Sequence, residues 1–115
     1  MQIQVHTDDH VQGGESLAQW IQEEASTRLA RFKDNVTRVE VFLTGVDSPK
    51  SGEGDKRCRL EARVAGRQPV AVMADADKLA AAFTAAVDKL ARALDNDLGR
   101  AKDIHGRDTI RAAQE

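Results

Sequence analysis

Only one cysteine stands in the 115 residues, with one tryptophan, three phenylalanines and no tyrosine. The lone Cys58 excludes an internal disulfide. Scarce aromatics leave the core to Val, Leu, Ile and Ala. There is no run of eighteen apolar residues, which excludes an apolar helix across a membrane. The opening "MQIQVHTDDH" lacks a basic region followed by an apolar one, so no signal peptide is expected and the cytoplasm is the expected compartment. A P-loop, a GxGxxG and a nucleophile motif are all missing. The chain is therefore expected not to be an enzyme, and to need no cofactor and no small-molecule substrate. A large basic excess is lacking too: the net charge is −2, unlike a uniformly basic nucleic-acid binder.

What is present suits one domain, with 41% hydrophobic and 31% charged residues. "MQIQVH" alternates apolar and polar residues and predicts a half-buried strand. Leu17, Trp20, Ile21, Leu29 and Phe32 fall on one face of a helix expected over Ser16–Lys33. Acids early and bases late in that helix suit its dipole. "NVTRVEVFLTGV" predicts a second strand with Val39, Val41 and Leu43 inward. "DSPKSGEGD" reads as a loop. In "KRCRLEARVAG", Cys58, Leu60, Ala62 and Val64 point in, and Arg57, Arg59, Glu61 and Arg63 point out. A turn at Gly66-Arg67 leads to a short strand, "QPVAVMA", which Pro69 places at an edge or strand end. A second helix is expected over Asp77–Leu98, with Leu79, Phe83, Ala86, Val87, Leu90 and Leu94 as its stripe. Asp75 or Asp77 can cap it, and Gly99 is its expected stop.

The order β-α-β-β-β-α predicts an α+β two-layer sandwich. A right-handed crossover makes the first two strands parallel, the rest antiparallel, and puts both helices on one sheet face. Residues 1–99 form the expected domain, and the polar stretch 100–115 reads as a flexible tail.

Within the mildly acidic chain, Lys56 to Ala74 carries +4. Arg57, Arg59 and Arg63 share one strand face, Arg57 and Arg59 about 7 Å apart and Arg63 about 13 Å further on. Such a row suits successive phosphates; it also suits a solvated face paired to Glu40 or Glu61. Arg28 with Arg31, and Lys89 with Arg92, are each spaced i, i+3. Side by side, the helices would merge these pairs into one cationic patch. Alternatively, acids such as Asp88 and Asp95 neutralise them. His6 and His10 are four apart but belong to a strand end and a turn, and His105 lies in the tail, so no metal site is expected. The acidic loop Asp47 to Asp55 lacks the ligand spacing of a calcium loop.

Several stretches resemble the ribosome hibernation-promoting factor and ribosome-associated inhibitor family, also called sigma-54 modulation proteins. They are "MQIQV", "ARFKDNVTRVEVFL", "CRLEARVAGRQPVAV", Ala81 to Thr84, and Asp88-Lys89-Leu90. The similarity runs over about Met1 to Leu98. The resemblance implies a fold similar to a double-stranded-RNA-binding domain, and a non-catalytic partner of the small ribosomal subunit. Such a protein occupies the channel for mRNA and tRNA and silences translation in stressed or stationary cells. By position, Arg28, Arg31, Lys33, Lys89 and Arg92 correspond to the family's basic helix residues, and Arg57, Arg59 and Arg63 join them as candidate rRNA contacts. The chain departs from the family at Thr84, at Lys78, and at Asp95 and Asp97, where bases are usual. It resembles the short form, without a C-terminal dimerisation domain. The alternative is a protein-interaction module of the same fold with little RNA binding.

Overall fold

The computed structural model describes residues 1–8, 14–45 and 56–114, with side chains through residue 99. The turn at 9–13, with His10, and the acidic loop lie outside the described residues. Six residues, Gln2–Thr7, form β1; α1 is Gly14–Arg28; a short 3-10 turn is Ala30–Phe32; β2 is Val36–Gly45; β3 is Lys56–Val64; β4 is Val70–Ala76; α2 is Leu79–Gln114. The strands lie side by side in chain order. β1 runs parallel to β2, while β2–β3 and β3–β4 are antiparallel. The expected topology is therefore the observed one, with β4 at an edge and Pro69 just before it.

Period-two alternation sorts the strand residues. Val39, Val41, Leu43, Cys58, Leu60, Ala62 and Val64 are buried under the helices. From the helices, Ile21, Ala25, Phe83, Ala86, Val87, Leu90 and Leu94, with Leu29 just after α1, close the same core. Burial pushes the Cys58 thiol up to about 12, so it behaves as a small apolar residue. Trp20 remains 38% exposed and meets Phe83 edge-on at 5.6 Å.

Four local expectations need correction. First, the helix begins at Gly14, where φ is +53°, and ends at Arg28 rather than Lys33. The next turn tightens, with Phe32 N–H donating to Leu29 O and Lys33 N–H to Ala30 O. This i→i+3 winding swings the chain toward β2 while burying Phe32. Second, strict alternation counted back from Val39 puts Val36 outward, yet it is buried in the core. A register shift between Val36 and Arg38 restores both to the inner face. Third, Asp75 does not cap α2; it lies in β4 and accepts from Arg57. Fourth, α2 does not stop at Gly99 but stays helical to Gln114. A glycine stops a helix by taking a positive φ, and Gly99 has none. In a helical backbone it costs only about 1 kcal/mol relative to alanine. At 1.5 Å per residue, the helix spans about 54 Å, most of the 64 Å length of the molecule.

Candidate nucleic-acid interface

Arg28, Arg31 and Lys33 arise where the dipole favours bases, at the C-terminal end of α1 and just beyond, whereas Lys89 and Arg92 lie well inside α2. Each has found a carboxylate where one is in reach. Arg28 donates from Nε to Glu24 at 3.0 Å and from Nη1 to Asp88 at 3.3 Å. Arg31 grips Asp95 with two bonds of 2.8 Å, and its guanidinium lies 4.4 Å from the Phe32 ring centre. Asp88 and Asp95, seven residues apart, thus form the flank of α2 that faces α1. Lys89 is on the other flank, where its Nζ donates to the Met73 carbonyl of β4 at 3.0 Å. The two basic pairs therefore do not merge; a line of acids separates them. Lys33 and Arg92 are exposed and have no ion pair among the described residues.

The opposite sheet face carries the strand arginines. Cross-strand register brings His6, Phe42, Arg59 and Met73 into one row. His6 stacks on Phe42 at 4.9 Å, and Arg59 lies 5.5 Å from that ring. Arg59 also reaches Glu61 at 3.4 Å. Arg57 clamps Asp75 with bonds of 2.8 and 3.2 Å. That hydrogen-bonded pairing raises the Arg57 pKa and lowers that of Asp75. Glu40 is held below its ordinary value, first by the Arg38 hydrogen bond and also by His6. Arg63, opposite Arg38 in register, is exposed and has no ion pair among the described residues.

The eight candidate residues therefore occupy two sides of the sandwich. Arg28, Arg31, Lys33, Lys89 and Arg92 belong to the helix layer, while Arg57, Arg59 and Arg63 face away from it. What joins the two groups is one end of the molecule. There the 3-10 turn, the turn to β2 and the β3–β4 turn converge, tied by Ala65 N–H to Asn35 O at 2.8 Å. This end carries Arg31, Lys33 and Arg63, and one base that the motif reading passed over. Arg67, beside Gly66 at φ +71°, grips Asp97 with bonds of 2.8 and 3.0 Å. Its only signal in the sequence is the +4 segment to which it contributes. An open cleft of about 300 Å³, lined by Arg31, Phe32, Asn35, Asp95, Leu98 and Gly99, marks the same end. Among the described residues, no three His, Cys, Asp or Glu side chains gather as a metal site. No helix among them is long and apolar enough to cross a membrane.

No curated protein matches the sequence. Among solved structures, the fold is similar to that of the Thermus thermophilus Protein Y N-terminal domain. The TM-score is 0.61 at 23% identity, covering 78% of this chain and 91% of that one. It is also similar to a ribosomal subunit interface protein from Coxiella burnetii, with TM-score 0.59 and 15% identity, covering 90% and 99%. At these identities the likeness establishes the shared fold. The family assignment comes from the sequence itself: residues 3–102 match the model of one family. The chain belongs to the sigma 54 modulation protein / S30EA ribosomal protein family.

Proposed function

We propose that this protein is a non-enzymatic, cytoplasmic ribosome-associated factor. It binds the small subunit through rRNA phosphates and inhibits translation under stress or in stationary phase. The observation that carries this reading is the family match over residues 3–102. The names of the two structural neighbours, Protein Y and a ribosomal subunit interface protein, support it. The binding unit is the domain 1–99. Its mechanism is occupation of space, anchored by cations on phosphates, with structured RNA recognised by shape and backbone. Lys33, Arg63 and Arg92 are the readiest anchors, since no internal carboxylate must be displaced. Lys89, Arg28, Arg31, Arg57 and Arg59 contribute after local exchange of partners.

Sedimentation of stationary-phase lysate at low and high salt tests the proposal. Co-migration with the small subunit, lost at high salt, is expected. Reversing charge at Lys89 and Arg92 should abolish it, and unchanged co-sedimentation would exclude that surface. The second reading, a protein-interaction module, draws on the internal pairing of Arg28, Arg31 and Arg57. It predicts an association that survives high salt.

A further inference from the structure

Three of the candidate or neighbouring arginines grip α2 carboxylates, and two do so at the same end of the molecule with both arms of the fork. Arg31 takes both oxygens of Asp95, and Arg67 takes both oxygens of Asp97. A guanidinium that donates to both oxygens of a carboxylate this way presents the geometry that donates to a phosphate. Both pairs are solvent-accessible: Arg31 is 58% and Arg67 37% exposed. Exposed to water and salt, each pair is screened and open to competition, so a phosphate can exchange for the carboxylate. While the pairs last, they keep the two forks ordered, which reduces the entropy lost on binding.

The placement of the two forks is also specific. Asp95 and Asp97 are two residues apart on α2, about 200° around its axis, so the arginines grip it from two sides. The path between them follows the turns, from the cleft beside Asn35 to Ala65 and the β3–β4 turn. Lys33 and Arg63 stand two residues before Asn35 and Ala65 in the chain.

We propose that Arg31 and Arg67 form a two-fork phosphodiester site, with Asp95 and Asp97 as internal stand-ins for the phosphates of a polyanion. In binding, each carboxylate gives up its guanidinium to a phosphate oxygen; no covalent bond changes. The acids set how strong a polyanion must be to enter. This rests on the phosphate-binding reading above and extends it to Arg67, Asp95 and Asp97.

The test uses two probes, inorganic polyphosphate and purified small ribosomal subunits, with the full chain. The double variant D95N/D97N keeps side-chain size and removes the competing charge. It should bind polyphosphate about tenfold more tightly than the native chain, with a steeper salt dependence, about 0.7–0.9 more in slope per added phosphate. Adding R31Q and R67Q should cancel that gain. The same gain with small subunits supports both readings. A gain with polyphosphate but no binding of subunits by any form keeps the two-fork site and overturns the ribosomal assignment. Native binding to subunits with no gain on either probe overturns the two-fork site and leaves the assignment intact. A D95N/D97N chain that binds polyphosphate more weakly also overturns it, because the acids would then be positioning the arginines rather than competing for them.

Discussion

Replacing Arg92 with Gln offers a quantitative check on which cations meet phosphate. Arg92 is exposed on α2 and spends nothing on an internal partner among the described residues. Lys33 and Arg63 share that condition. Each phosphate neutralised adds about 0.7–0.9 to the magnitude of the slope of log affinity against log salt. These three cations alone set a minimum slope of about −2 to −3, and a minimum affinity loss of about 20- to 40-fold between about 50 and about 200 mM salt, to which any exchanged arginine adds. In R92Q the slope should become shallower by about 0.7–0.9, so the same salt step costs about threefold less. The assay is a titration of labelled protein with purified small subunits at four salt concentrations. Arg57→Gln serves as contrast, because Arg57 is occupied by Asp75 and its loss should change the slope less. An R92Q slope equal to that of the native chain would refute the assignment of Arg92 as a phosphate contact.

Three further outcomes follow from the fold. Phe83→Ala empties a fully buried site under Trp20. It should cost about 3–5 kcal/mol in chemical denaturation; a loss below about 1 kcal/mol would contradict the packing described. Acidification should unfold the protein partly through Glu40 and Asp75. Their folded pKa values lie below the ordinary 4.5 and 3.8. Their contribution is therefore complete above those values and lost as pH falls through the lowered ones. Melting temperature against pH should show a shallower acid limb in E40Q/D75N than in the native chain. Finally, Gly99→Ala should stabilise by up to about 1 kcal/mol, since the position is helical and an added Cβ meets open space. Gly66→Ala should destabilise, because φ is +71° there; equal effects at the two glycines would refute the distinction.

The sequence made faces legible and partners much less so. Alternation in β2 and β3 assigned Cys58, Leu60 and Ala62 to the core, and Arg57, Arg59 and Arg63 to the open face, because side-chain direction has period two whatever the tertiary context. Val36 escaped that rule because a bulge resets the count, and a bulge is set by pairing with β3 rather than by local sequence. The 3-10 turn at Ala30–Phe32 escaped for a similar reason: Phe32 keeps a helical spacing while the backbone tightens beneath it. Gly99 read as a stop because composition cannot reveal φ. The ion pairs were least visible. Arg31 and Asp95 are 64 residues apart, Arg67 and Asp97 30. Only the crossing of α2 over the sheet end brings them together. Spacing within each helix showed which bases share a face, but it could not show that the neighbouring helix answers them with acids.

The parallel pairing of β1 with β2 separates the order of synthesis from the order of assembly. β2, β3 and β4 are consecutive antiparallel neighbours, each joined to the next without a crossover. β1 is made first yet touches only β2 in the sheet, and Gln2 meets Arg38 only after the intervening α1 has been wound and folded back. Closing that long loop costs chain entropy before any contact repays it. Nor is the repayment large, for none of the six residues of β1 is fully buried. The three-stranded meander with α2 is thus the expected framework, with the N-terminal strand expected to dock last. Hydrogen exchange is therefore expected to find β1 opening first, its outward amides exchanging while the rest of the sheet stays closed.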